Sequence, residues 1–254
     1  MRRALLLTIA GLALLALAVV AFAPAALLAS RLSSSTGGAL TLAEATGPWW
    51  NGRATLVARD GTRLPVGWRI DPGALLAGVV RVGLRPGDDP AAPRGEIEWR
   101  DGQLRLSGLA LTAPARLAAQ AIPFRSGRER IDVDGDLGVA TAELSWPPRG
   151  TRGDATLRWD RARLALPDGG PSVALGAVTL RLAATGDRLA GPVANTGGDV
   201  ALAGTVDAGA DGRVRVSLLA TPREGADPRL VQMLATVGTP EGAGVRVAFT
   251  VGAP

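Results

Sequence analysis

Beyond residue 39, most of the chain alternates between apolar and polar residues, and Gly, Pro or Asp-Gly interrupts the alternation every 8 to 12 residues. Alternation with a period of two, broken at regular intervals by turn residues, is typical of antiparallel sheets. We predict strands over residues 53–59, 63–70, 79–85, 95–100, 103–109, 138–146, 155–159, 173–183, 200–206, 213–220 and 245–251.

Turn and helix signals divide these strands. Asp60-Gly61 and Asp101-Gly102 each lie between two alternating segments, which predicts two-residue turns with positive φ. Helical signals are few. An Asp-Pro start, an apolar stripe and a following Gly predict one short helix over residues 229–237. A single helical turn is predicted at 71–78, and a second short helix at 114–121.

The N-terminal segment is of a different kind, because no charged residue occurs from Ala4 to Ser30. About 20 apolar residues are enough to cross the hydrocarbon core of a bilayer, so we predict a transmembrane anchor from Leu5 to Leu28. A cleaved signal peptide is the alternative, with a small-residue site at residues 21–23. Pro24 directly after that site, and the apolar residues beyond it, favour an uncleaved anchor.

The predicted fold class is mainly β: an N-terminal transmembrane helix followed by a periplasmic antiparallel sheet, curved or groove-like, with a few short helices. Two arginines before the anchor predict a cytoplasmic N-terminus with the remainder outside the cytoplasm. The predicted regions are a cytoplasmic start and anchor (1–30), a polar linker (31–39) and a β-rich domain (40–254). The last contains a weak hint of two similar halves, about 40–125 and 126–254.

The composition excludes most kinds of catalytic residue. The 254 residues include no His, Cys or Tyr, and all 28 basic residues are Arg. A two-carboxylate hydrolase is the one enzyme class left open, and nothing selects a pair from the 23 acids. We therefore predict no enzymatic activity and no cofactor. The arginines are interleaved singly with apolar residues, which indicates a solvated strand face and not a nucleic-acid surface.

One acidic cluster imitates the spacing of a calcium loop. Asp132, Asp134 and Asp136 occupy alternate positions, and Glu143 follows Asp132 by eleven residues. Leu137 occupies the position where such a loop needs Gly, and neither flank has a helical pattern. A solvated strand face or a turn is the favoured interpretation, and we predict no metal site.

The tryptophans are numerous for a chain with only three Phe: there are six. Four lie in predicted strands, where packing on the sheet is the favoured role: Trp68, Trp99, Trp146 and Trp159. Trp49 and Trp50 lie in a turn after the anchor. They fit either core packing or the membrane interface, and packing is favoured.

Several short motifs follow one another in a recognisable order. Pro24-Ala25 ends the anchor, Gly47-Pro48-Trp49-Trp50-Asn51-Gly52 follows, and Trp68-Arg69-Ile70-Asp71-Pro72 comes next. Further landmarks are Leu75, Gly78, Leu117 before Pro123, and Leu230 to Leu234 with Gly238. In this order the chain resembles protein N of the bacterial type II secretion system over nearly its whole length. The motif positions carried over are Gly47, Trp50, Gly52, Trp68, Pro72, Leu75 and Gly78.

The resemblance implies an accessory, non-enzymatic component of that secretion machinery. It would be a single-pass protein of the bacterial inner membrane with a periplasmic interaction domain. Expected partners are other inner-membrane secretion components and the membrane lipid around the anchor, with no nucleic acid. The alternative is a periplasm-facing β-groove protein that binds or transports lipid, and a continuous exposed apolar face along the sheet would favour it.

Overall fold

The computed structural model describes residues 24–85, 93–121, 125–126, 129–130, 132–146, 150–165 and 172–251. The first six strands are β1 (Leu40–Thr46), β2 (Asn51–Ala58), β3 (Arg63–Ile70), β4 (Val80–Arg85), β5 (Arg94–Arg100) and β6 (Gln103–Pro114). Next come β7 (Arg125–Ser126), β8 (Glu129–Arg130), β9 (Asp132–Trp146), β10 (Arg152–Ala165) and β11 (Ser172–Thr185). The last are β12 (Arg188–Thr196), β13 (Val200–Gly209), β14 (Val214–Pro222), β15 (Thr239–Glu241) and β16 (Gly244–Val251).

Fourteen of these strands form one antiparallel sheet in the order β1-β2-β3-β4-β5-β6-β9-β10-β11-β12-β13-β14-β16-β15, and β7 pairs with β8. Within the described ranges, four helices accompany the sheet: α1 (Ala26–Ser35), α2 (Pro72–Leu76), α3 (Ala115–Ala121) and α4 (Pro228–Val237). Because nearly every strand pairs with its neighbour in sequence, the sheet is a meander. The predicted β-rich class with few short helices is confirmed.

The two faces of the sheet differ sharply in polarity. Side chains in register across the strands make one face apolar, here called the apolar face, and examples are Leu56, Val66, Val82, Ile97, Leu106, Leu180, Leu202 and Val216. The opposite, outer face carries Arg, Asp, Glu and Thr. Since side chains alternate along a strand, the period-two pattern of the sequence becomes this division.

The helices cover the apolar face unevenly. Leu32 of α1 and Leu117 of α3 pack together against Leu40 and Ala58 of the first strands. At the other end of the sheet, Leu230 of α4 packs on the face formed by β10 to β14. The Leu117 contact brings the end of β6 next to β1, five positions away in the strand order, so the sheet curves around its apolar face.

Five strands were not predicted: β1, β12 and the short β7, β8 and β15. Gly191-Pro192 inside β12 has the composition of a loop, but Gly191 lies so close to the Arg181 carbonyl that a Cβ there would collide with it. Gly is therefore required by strand packing at this position and does not mark a turn.

Register shifts explain why β9 and β10 are longer than predicted. The pairs β1–β2, β5–β6, β9–β10 and β10–β11 each contain a β-bulge, and Arg161 on β10 adopts φ 51°. A bulge changes which residues face inward, so a strict period-two reading ends at the bulge although the strand continues.

The two Asp-Gly turns have different outcomes. Asp101 and Gly102 have φ 49° and 78°, which is the predicted two-residue turn. Asp60-Gly61 lies instead in a three-residue loop, because the Ala58 amide bonds the Thr62 carbonyl at 2.9 Å. There the prediction of a two-residue turn is wrong.

The predicted anchor lies mostly outside the described residues, which begin at residue 24. No helix in the described part of the chain is long and apolar enough to span a bilayer. Leu28, the last residue assigned to the anchor, belongs to α1 and packs on the sheet. The same helix continues to Ser35, into the segment expected to be a linker.

Candidate functional site

The chain enters the sheet at a set of contacts here called the joint: residues 24–25, residues 47–52 and Trp68. Pro24 forms an isolated bridge with Pro48, and the Ala25 amide donates to the Gly47 carbonyl at 3.0 Å. Ala25 is 1% exposed. Residues 24–25, which lie in the C-terminal part of the predicted anchor, are therefore fixed to the turn between β1 and β2.

Trp68 packs against that turn and donates a hydrogen bond to it. Its indole N–H donates to the Trp49 carbonyl at 2.7 Å, and its ring is buried among Ala25, Ala54 and their neighbours. The Ile70 amide bonds the Trp50 carbonyl at 2.6 Å. The predicted packing role of Trp68 is confirmed, and its hydrogen bond additionally satisfies a turn carbonyl.

Two glycines make the close packing of the joint possible. Gly47 has φ +86°, and a Cβ there would lie 2.5 Å from the Asn51 carbonyl oxygen. A Cβ on Gly52 would lie 2.6 Å from Cζ2 of Trp68. Side chains larger than hydrogen are excluded at both positions, which gives the Gly and Trp spacing of the motif a physical basis.

The second motif segment forms α2, which follows β3 at the same edge of the sheet. Asp71 caps this helix by accepting from the Gly73 and Ala74 amides at 2.9 and 3.2 Å. Arg81 lies 3.5 Å from the same carboxylate and 2.8 Å from Glu98. The Glu98 hydrogen bond raises the pKa of Arg81, whose guanidinium links α2, β4 and β5.

Beside the joint, large apolar side chains are exposed along the same edge of the sheet, which here means the row of strand ends that contains the start of β2 and the end of β3. Leu76 at the end of α2 is 92% exposed, Val80 at the start of β4 is 42% exposed, and Trp99 near the end of β5 is 48% exposed. Val80 and Trp99 are cross-strand partners. These three residues are the apolar rim. Neighbouring strands run antiparallel, so the start of β4 and the end of β5 lie at the edge where β2 begins.

The tryptophans on the strands do not all follow the packing prediction. Trp146 and Trp159 are partly buried against apolar clusters on the inner side of the sheet. Trp99 departs from the prediction, because its side chain is about half exposed. Sequence analysis missed the apolar rim as a unit, although an apolar residue directly after a helical turn and a Trp beside an Asp-Gly turn are both visible signals.

Two aspartates of the acidic cluster at residues 132–136 form ion pairs with arginines. Asp134 lies 3.4 Å from Arg116, and Asp136 pairs with Arg161. Within the described ranges, no group of three or more His, Cys, Asp or Glu side chains is arranged to hold a metal ion. Arginine partners of this kind are common for carboxylates on a solvated strand face.

The motif positions are therefore brought together in two adjoining groups. Gly47, Trp50, Gly52 and Trp68 form the joint, whereas Pro72, Leu75 and Gly78 build α2 and its exit next to it. Leu28 packs against the joint from α1, and Leu5 lies outside the described residues.

The model of the family described as "Type II secretion system (T2SS), protein N" matches residues 38–248. That range includes most of the chain, and the chain belongs to this family. No curated protein and no solved structure matches it.

Proposed function

We propose that the chain is an accessory, non-enzymatic component of the type II secretion machinery, held in the bacterial inner membrane by one span, with its sheet in the periplasm as an interaction domain. Family membership supports the machinery. The observation that carries the rest is the joint, where Ala25, close to the C-terminal end of the predicted anchor, is buried and bonded to the family's Gly and Trp motif.

The contacts of the joint place the C-terminal end of the proposed span earlier in the chain than Leu28. Ala25 and Leu28 pack on the sheet, so the span must end before Pro24. Residues 4–23 remain, and they contain no charge. About 20 residues rising 1.5 Å each cross about 30 Å, which matches the hydrocarbon core.

The apolar rim supports a fixed orientation of the sheet toward the membrane. Leu76, Val80 and Trp99 lie at the edge where the chain leaves the joint toward the span. Tryptophan and exposed apolar side chains are favoured at the boundary between lipid and water. The rim thus lies at the periplasmic surface of the inner membrane, with the opposite edge of the sheet turned away from it.

A non-enzymatic role is supported by the chemistry that is present. The residue types His, Cys, Lys and Tyr do not occur, and many acids of the outer face pair with arginines. A charged, hydrogen-bonded sheet surface suits recognition of other secretion components, since such surfaces give specificity and orientation.

The experiment uses the absence of cysteine. Single-cysteine variants of the full chain, Leu76→Cys at the rim and Arg63→Cys at the opposite edge, carry one fluorophore each in vesicles of inner-membrane lipid. Seven residues of β3 separate the two edges by about 23 Å. Quenching by lipid-attached nitroxides is expected for the fluorophore at position 76 and not for the fluorophore at position 63.

A second arm tests the span and the machinery. Deleting residues 4–23 is expected to release the protein from membranes and stop secretion, and an unrelated single span attached before Pro24 is expected to restore both. Membrane retention of the deletion variant, or equal quenching of the two fluorophores, would contradict the proposed anchoring.

Lipid binding by the apolar face is a second candidate, favoured by one observation. Within the described chain, the sheet has no second layer over much of this face, so Leu180, Leu202 and Leu218 remain only half-buried. Apolar area left partly open in this way fits acyl chains. Mass spectrometry of the purified full chain should then find bound phospholipid, reduced by Leu202→Glu and unchanged by Ala203→Glu on the outer face. Lipid-free protein would reject this candidate.

A further inference from the structure

The two ends of the sheet are protected to different degrees. At the β1 end, Glu44 adopts φ 56° in a bulge, which shifts the register between Ala43 and Thr46. The helix α1 packs beside the same strand. A bulge, a charge and a covering helix are devices by which natural sheets prevent an edge from pairing with another chain.

At the β16 end, residues 247–251 have no bulge and no charge, and they are here called the free edge. β15 covers only Gly244 to Arg246. Beyond that point no strand of the described chain lies on this side of β16. The free edge contains no charged residue and no proline, and its register with β14 is unbroken. Such an edge is a template for an added strand.

The hairpin fixes which backbone groups point outward. Glu241 and Gly244 close a two-residue turn, and the closing pair of such a turn is hydrogen-bonded. Hydrogen-bonded and non-hydrogen-bonded positions alternate along an antiparallel strand. Gly244 and Arg246 therefore face β15, and Ala248 and Thr250 continue the same row toward solvent. Both of these residues are exposed.

We propose that the free edge pairs antiparallel with the free edge of a second copy of this chain, centred on Phe249. In this register Ala248 lies opposite Thr250 of the other copy, and the reverse pair repeats the contact. Two hydrogen-bonded pairs give four backbone hydrogen bonds. Phe249 meets its own counterpart at a non-hydrogen-bonded position, where side chains approach most closely.

Self-pairing explains features that a dissimilar strand would not require. Phe249 is 46% exposed although it belongs to the apolar face, and an identical ring across the axis would cover it. A two-fold axis perpendicular to the sheet keeps both apolar faces on one side. In this register no charged residue lies opposite a charged residue of the other copy. β15 limits the pairing to residues 247–251, because it already pairs with residues 244–246.

The test uses single-cysteine variants of the full chain in intact cells, followed by mild oxidation and a non-reducing gel. In Phe249→Cys the two Cα atoms would lie about 4.5 Å apart, within the range that a disulfide spans. In Ala248→Cys they would lie about 8 Å apart, beyond it. A covalent species of twice the 25.9 kDa chain mass is expected for the first variant and not for the second.

A third variant distinguishes crosslinking through the paired free edge from crosslinking by random collision. Ala248→Pro added to Phe249→Cys removes an outward amide that no described strand uses, so the monomeric sheet is retained while pairing is blocked. Crosslinking should fall at least tenfold. Equal crosslinking of all three variants, no crosslinking of the Phe249→Cys chain, or a product with a chain of different mass would each overturn the proposal.

Discussion

The burial of Trp68 predicts a large and local loss of stability when it is truncated. The side chain is 8% exposed, so most of the 150–250 Å² that a buried aromatic removes from water is at stake. At about 25 cal/mol per Å², this area corresponds to roughly 4–6 kcal/mol, and residual burial in the unfolded chain reduces that value. Trp68→Ala should therefore cost about 3–5 kcal/mol, in the range of other aromatic truncations in cores.

The matched control is Trp99→Ala, the same change on the same sheet at a side chain that is 48% exposed. It should cost about 2 kcal/mol or less, since less area is lost and the site opens to solvent. Hydrogen exchange of the full chain measures both, because it reports each region separately in a sheet that need not unfold as one unit. The loss in Trp68→Ala should concentrate at the joint. Equal losses in the two variants would refute the assignment of Trp68 as the residue that holds the joint.

Four further predictions follow from single contacts. Gly47→Ala should cost at least about 1 kcal/mol more than Gly37→Ala in urea unfolding, because both have positive φ but only Gly47 would clash. Asp71→Ala should cost about 1 kcal/mol and increase exchange in α2, whereas Asp71→Asn should keep the cap. Asn195→Ala should cost about 2 kcal/mol, because its amide bonds three carbonyls and one backbone N–H between β11 and β13. A hydrogen bond from Arg246 lowers the pKa of Glu241. The stability that this bond contributes is complete above the ordinary carboxyl pKa and is lost as the pH falls through the lowered pKa. Acid should therefore loosen β15 more in the wild type than in Glu241→Gln.

Much of the fold could be predicted from local pattern, because a solvated outer face and an apolar inner face impose strict alternation. β3 was predicted with both bounds correct, and the helix after Asp227 was found from its cap and stripe. The rest depended on long-range geometry. β12 was missed because Gly191 and Pro192 look like breakers until the approach of the neighbouring strand is known.

The candidate site was predictable in part for the same reason. The motif containing Gly47 and Gly52 was visible in the sequence, but the clash that makes each glycine necessary involves atoms brought together only by folding. The contact of Ala25 with this turn could not be predicted either, since a small apolar residue after an apolar segment has no pattern of its own. The apolar rim required knowledge of which strand ends share an edge.

The architecture itself explains why contacts with other molecules are expected at both ends of this sheet. Most domains bury an apolar sheet face under a second layer, whereas here α1, α3 and α4 cover only parts of it. The joint and the apolar rim lie near β1 to β5, and the free edge lies on β16, twelve strand positions from β1. At about 4.8 Å per strand this is roughly 60 Å along the curved sheet. A second copy added at β16 would therefore not contact the joint of the first copy, and it would join two half-covered apolar faces into one longer surface. The joint and the free edge share no residue, so a substitution that prevents pairing at the free edge should leave the contacts of the joint intact.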